Sequence, residues 1–206
     1  MGRYGDLVER KLNVPVSVDN HAAEGKTSDQ LRSEVTDDDS LRQALSDADV
    51  ILIGIGGADL NAGDDALSAG RCKGRRCYDQ VLRTFDGNVK AIARELRRLA
   101  PTALLRAISL PNVVPGGGDE IPSFITADIA HYQVTAQRAA ICQAMRSNGG
   151  LCADAVRAFN GPNANADAYA SGLLTKNPCC YPSAKGQQLM ARLLVETGLP
   201  GLQRAR

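Results

Sequence analysis

Asp49-Val50-Ile51-Leu52-Ile53-Gly54-Ile55 is the stretch that decides the fold. A near-continuous apolar run of this length, closed by glycine, suits a strand covered on both faces, because neither row of side chains then meets water. Outward from it, apolar runs alternate with longer amphipathic segments. Tyr4, Leu7, Val8 and Leu12 recur at helical spacing. Val14-Pro15-Val16-Ser17-Val18 reads as a strand, with Pro15 marking an edge or a strand start. Residues 78–99 carry Val81, Leu82, Phe85, Val89, Ile92, Ala93, Leu96 and Leu99 on one stripe, and Pro101 stops that helix.

The rest of the chain keeps the same rhythm. A strand is expected over residues 103–110, broken by Pro111, and residues 115–122 form a loop centred on Gly116-Gly117-Gly118. A helix follows over about 123–146, then a short strand at Leu151-Cys152-Ala153. Residues 160–180 are rich in Asn, Gly and Pro and are expected to be loop. The last helix spans about 183–197, with Ser183 as N-cap and Gly198 past its end. Alternation of this kind predicts a three-layer α/β/α sandwich around a parallel, doubly wound sheet with right-handed crossovers. No internal repeat or linker interrupts it, so residues 1–206 read as a single domain. Chemistry in such sheets gathers at the carboxyl ends of the strands, here the loops 20–28, 56–79, 111–122 and 160–182.

Composition narrows the functions. Formal net charge is +1, and the chain has five Tyr, three Phe and no Trp. It has neither the positive stripe nor the stacking aromatics of a nucleic-acid groove. No apolar run approaches the roughly 18–20 residues of a membrane span. Met1-Gly2-Arg3-Tyr4-Gly5-Asp6 lacks the pattern of a secretory signal, so any export signal is expected outside these residues. Six cysteines are present: Cys72 and Cys77 bracket a basic loop, and Cys142 and Cys152 bracket the turn at Asn148-Gly149-Gly150. Each pair is a disulfide candidate, which suits an oxidising compartment and a secreted or extracytoplasmic protein. Cys179 and Cys180 are adjacent and could close a ring, pair elsewhere or stay reduced. A zinc site is not expected, because CxxC spacing does not occur and His21 and His131 lie far from the cysteines.

Three neighbourhoods carry a family resemblance. Ile53-Gly54-Ile55-Gly56-Gly57-Ala58-Asp59-Leu60 resembles the GxND block of the SGNH (GDSL-type) hydrolases. Asn20-His21-Ala22-Ala23-Glu24-Gly25-Lys26-Thr27-Ser28 resembles the block whose glycine supplies an oxyanion-hole amide, here Gly25. Tyr181-Pro182-Ser183-Ala184-Lys185-Gly186-Gln187 resembles the DxxHPsxxG block at the entrance to the final helix. Order and separation agree over nearly the whole chain. The resemblance implies a flavodoxin-like sheet and a carboxylic-ester hydrolase acting on small acyl esters without metal or organic cofactor.

The departures concern the chemistry. The family's nucleophilic serine lies in a GDS block on a first strand, before the helix that begins here near Tyr4, and no such block occurs. Ala58 stands at the asparagine position, Pro178 at the aspartate position and Tyr181 at the histidine position; only Gly25 remains of the four. Acyl transfer needs a nucleophile within reach of a base and donors aimed at the oxyanion; losing one such donor costs about 10²–10³ in rate. A phenol with a pKa near 10 is a poor base at neutral pH. The resemblance therefore implies an esterase whose activity is in doubt or uses another site, with an inactive binding or vestigial form as the alternative.

Other sets compete for a role. Asp19, His21 and Ser28 could form a rebuilt triad, though the plainer reading has Asp19 and Ser28 capping backbone and His21 solvated. Ser183 and Lys185 could form a dyad, but Ser183 is better explained as a helix cap. Cys179 or Cys180 could be a thiol nucleophile only with something to lower its pKa. Gly54-Ile55-Gly56-Gly57-Ala58-Asp59 echoes a dinucleotide loop, but Asp59 takes the third glycine position and about twenty loop-like residues are expected before the next helix. Asp59 is expected to fix its own turn through backbone amides.

The family's first strand is internal to its sheet and is expected to be missing here, the chain being truncated before it. Its absence predicts direct pairing of residues 14–18 with residues 49–55, or repair of the gap by a second chain, hence a homo-oligomer through an unpaired edge.

Overall fold

The computed structural model describes residues 2–202. Its centre is a parallel sheet of strands β1 (Val50–Ile53), β2 (Leu104–Ile108) and β3 (Leu151–Ala153), in the order β1-β2-β3. The apolar run at residues 50–53 alternates between two cores. Ile51 and Ile53 face helices α2 (Ser28–Asp37), α3 (Asp39–Ser46), α5 (Asp79–Leu99) and α6 (Ala127–Ser147). Val50 and Leu52 face α1 (Gly2–Leu12), α7 (Ala155–Asn160) and α8 (Ala184–Glu196). Helices thus cover both faces, giving the expected three-layer α/β/α arrangement.

The long helices follow their patterns. In α5, Leu82, Phe85, Val89, Ile92, Ala93 and Leu96 are buried on one stripe, at the spacing that keeps an α-helix facing the same neighbour. In α8, the Ser183 hydroxyl accepts from the Gly186 amide, the N-cap that the sequence predicts. Disulfides join Cys142 of α6 to Cys152 of β3, and Cys72 to Cys77 in the loop before α5.

Four expectations need correction. Residues 14–18 do not form a strand: among the described residues they have no ladder partner and no backbone hydrogen bond. They do not pair with β1, whose sole ladder partner among the described residues is β2. β propensity fits a residue to a pleated surface but does not supply the neighbour that makes a strand. The segment after Asp59 is not a long loop: a 3-10 turn (Ala58–Leu60) leads straight into α4 (Asn61–Ser68). Residues 160–180 are not all loop, because β4 (Leu174–Lys176) and β5 (Cys179–Pro182) form an antiparallel hairpin. Finally, Thr27 rather than Ser28 caps α2, through a capping box with Gln30.

Candidate functional site

The loop before α2 and the turn after β1 are fastened together by one carboxylate. Asp59 accepts the Ser28 amide at 3.0 and 3.1 Å and also the Ser28 hydroxyl. Asp59 thus anchors the facing loop, not its own turn as the sequence suggests. Ser28 is fully buried, and its hydroxyl oxygen accepts from the Asn88 amide of α5 at 3.1 Å. Arg32 donates to the Asn88 oxygen at 3.3 Å.

Gly25 lies in the joined loop at φ +75°, a left-handed turn that glycine adopts without a Cβ penalty. Ala58 begins the 3-10 turn after β1. Pro178 sits at the tip of the β4–β5 hairpin, and the exposed Tyr181 lies on its returning strand. The Tyr181 hydroxyl donates to Glu24, so the hairpin is tied to the loop carrying Gly25. That bond to Glu24 pushes the phenol's pKa up from its ordinary value, so still less of Tyr181 is phenolate at neutral pH. Gly186, five residues on in α8, stands against the Leu173 carbonyl so closely that any Cβ would collide with it.

Asp19 and His21 come together, with Asp19 Oδ2 3.0 Å from His21 Nε2, both side chains exposed. Ser28 does not join them, since its hydroxyl is held by Asp59 and Asn88. Asp19 is the one side-chain partner of the His21 ring among the described residues. Ser183 and Lys185 each bond elsewhere: the Ser183 hydroxyl donates to the Gly172 carbonyl at 2.6 Å and Lys185 Nζ to the Ser171 carbonyl at 2.8 Å. Cys179 and Cys180 form a disulfide with each other, so neither is the free thiol a nucleophile would require. Tyr169 Oη lies 3.6 and 3.4 Å from their sulfurs.

Asp19, Asn20 and His21 are among the residues lining a cavity of about 1130 Å³ beside β1. Its sides are residues 14–17 and residues 50–55. Lys26 and Glu34, also at its lining, form an ion pair with each other.

Sequence reading passed over Glu24, Asn88 and the Lys26–Glu34 pair. Asn88 did leave a signal: it is a buried amide on the apolar stripe of α5, and a buried polar group needs a partner. Glu24 left none, since its partner Tyr181 lies 157 residues away.

No helix among the described residues is long and apolar enough to cross a membrane. No protein-family model matches the sequence, and no curated protein matches it. Solved structures do. The chain is similar to the lipase Lip_vut3 from a goat rumen metagenome, 18% identical, with a TM-score of 0.75 over 96% of this chain and 86% of that one. It is also similar to a protein described as a GDSL-like lipase from Parabacteroides merdae, 19% identical, with a TM-score of 0.55 over 84% of this chain and 68% of that one. Layer order, sheet direction and these superpositions agree, and the chain has the fold of the GDSL-type hydrolases.

Proposed function

We propose that the chain is a single domain of carboxylic-ester hydrolase descent, of the SGNH type, that does not by itself complete acyl transfer. The observation that carries this reading is the placement of Ser28. Its hydroxyl is fully buried and held by Asp59 and Asn88, while the nearby His21 ring is paired with Asp19 instead. A nucleophile and base must lie within hydrogen-bond reach of each other, and this pair does not. Tyr181, at the position of the family's histidine, donates to Glu24 rather than offering a lone pair to substrate. What remains is a shell able to hold a small acyl ester. Three disulfides support a secreted or extracytoplasmic setting.

The test is incubation with p-nitrophenyl acetate and, separately, with a fluorophosphonate probe. The expected result is no burst, no mass adduct and turnover at the level of the His21→Ala variant. A burst stoichiometric with protein and abolished by the probe would overturn the reading.

One observation favours a second reading. The Asp19–His21 pair in the cavity lining has the form of a general base with its orienting carboxylate. Slow, burst-free turnover that His21→Ala removes would support hydrolysis by an activated water, without a protein nucleophile.

A further inference from the structure

The β4–β5 hairpin holds a backbone conformation that a cysteine does not favour by itself. Its register pairs Leu174 with Pro182 and Lys176 with Cys179, so Thr175 faces two residues, Cys180 and Tyr181, across a β-bulge. Cys180 takes the left-handed place in that bulge, at φ +78°. Glycine is the usual occupant of such a position, because a Cβ disfavours it. The other non-glycine residues at positive φ, Asn13 and Ala164, lie in turns, and among the described residues Cys180 alone lies inside a strand. Cys180 is joined through sulfur to the residue before it, Cys179. A ring closed between adjacent residues restrains the torsions on either side of the peptide that links them. It thereby takes the part that glycine plays in other bulges.

The pair is placed for exchange with a thiol. Both cysteines are half-buried, whereas each of the other two disulfides has one buried member, Cys77 and Cys142. An attacking thiolate needs access to sulfur. Lys176 stands opposite Cys179 in the ladder, is exposed, and is in no ion pair among the described residues. Its cation favours both the thiolate that arrives and the one that leaves. Tyr169 Oη, which donates to the Val113 carbonyl at 3.0 Å, lies 3.6 and 3.4 Å from the two sulfurs and can accept from either thiol. Tyr181 follows the pair directly and donates to Glu24, in the loop that carries Gly25. Side chains alternate along a strand, so losing the extra residue of a bulge turns Tyr181 to the opposite face.

We propose that Cys179–Cys180 is a site of reversible exchange with a small external thiol, and that its opening releases the bulge and detaches Tyr181 from Glu24. A thiolate RS⁻ attacks one sulfur of the pair: a bond forms between them, the ring bond breaks, and the other cysteine leaves as thiolate. A second RS⁻ attacks the sulfur of R in that mixed disulfide, so RSSR departs and the first cysteine is freed. The protons of two RSH end on the two cysteines, the pair gains two electrons, and the thiol is oxidised to RSSR. With the ring open, Cys180 returns to the extended region that a strand prefers. The loop carrying Gly25 is then no longer tied to the hairpin. The proposal does not depend on whether the protein hydrolyses esters.

The test titrates the folded protein with glutathione, alkylates it with N-ethylmaleimide and maps the adducts by mass spectrometry. Adducts on both Cys179 and Cys180 are expected at a glutathione concentration about tenfold or more below that which opens either other disulfide. Isotope-labelled tyrosine Cζ, read by NMR, then reports the tie to Glu24. Reduction should shift the Tyr181 resonance to where Glu24→Ala puts it, and should move it no further in that variant. Glu24 is exposed, so the variant is expected to fold. Two double variants separate the ring from its thiols. Cys179→Ser with Cys180→Ser should match the reduced protein. Cys179→Ser with Cys180→Gly should keep Tyr181 on Glu24, because glycine holds the left-handed place without a ring. Free thiols at both positions in air-oxidised protein would overturn the proposal, as would opening of all three disulfides together. So would a Tyr181 resonance indifferent to reduction, a double-serine variant like the oxidised parent, or a serine-glycine variant that loses the tie.

Discussion

Ser28 and Asp59, 31 residues apart, are joined by one carboxylate that accepts both the backbone amide and the hydroxyl of the serine. This relation locks the start of α2 to the turn after β1, and it removes from solution the hydroxyl that a triad with Asp19 and His21 would need. Replacing Asp59→Ala leaves the buried Ser28 amide without a partner. Hydrogen bonds to a charged group are worth about 1.5–3 kcal/mol, and the variant should lose about that much stability. Urea unfolding with an unchanged slope would check it.

Gly186 answers a packing need rather than a turn. Its Cα lies against the Leu173 carbonyl, and a methyl group would force α8 off the β4–β5 hairpin. Gly186→Ala should destabilise the protein by about 1–3 kcal/mol, although alanine is the better helix former. A rise in melting temperature would contradict this.

The Cys142–Cys152 bridge closes a loop across ten positions. Chain entropy alone assigns such a loop about 2–3 kcal/mol. The double Cys142→Ala, Cys152→Ala variant should lose that much, as read by denaturant midpoint under oxidising conditions. Equal stability of variant and parent would show that the bridge contributes nothing.

Acid should reveal Glu95. Its carboxyl is held down to about 2 by hydrogen bonds from Arg98 and Arg42. The folded state therefore binds this proton more weakly than the unfolded chain. The resulting stabilisation is complete above the unfolded value, near pH 4.5, and disappears as pH falls through about 2. Glu95→Gln should remove that part of the slope, so the stability gap between parent and variant narrows over this window. A gap that stays constant from neutral pH to about pH 2 would sink the idea.

The layers were legible because burial writes itself into sequence. Residues 50–53 are apolar throughout since both faces are covered, and α5 repeats its stripe because it keeps one neighbour for its whole length. Residues 14–18 misled because a strand is a relation between two segments, and among the described residues none pairs with this one. The β4–β5 hairpin was hidden by Pro178 and the paired cysteines, which read as loop. For the candidate site, the motif neighbourhoods singled out Gly25, Ala58 and Tyr181 as positions to inspect. The ties that hold them, Asp59 to Ser28 and Glu24 to Tyr181, cross 31 and 157 residues, and neither local pattern nor propensity encodes such a distance.

The strand order β1-β2-β3 follows the order of the chain. Each strand docks beside the one synthesised just before it, and none must be threaded between two already in place. The sheet can therefore grow in one direction as the nascent chain leaves the ribosome, with β2 settling on β1 before β3 exists.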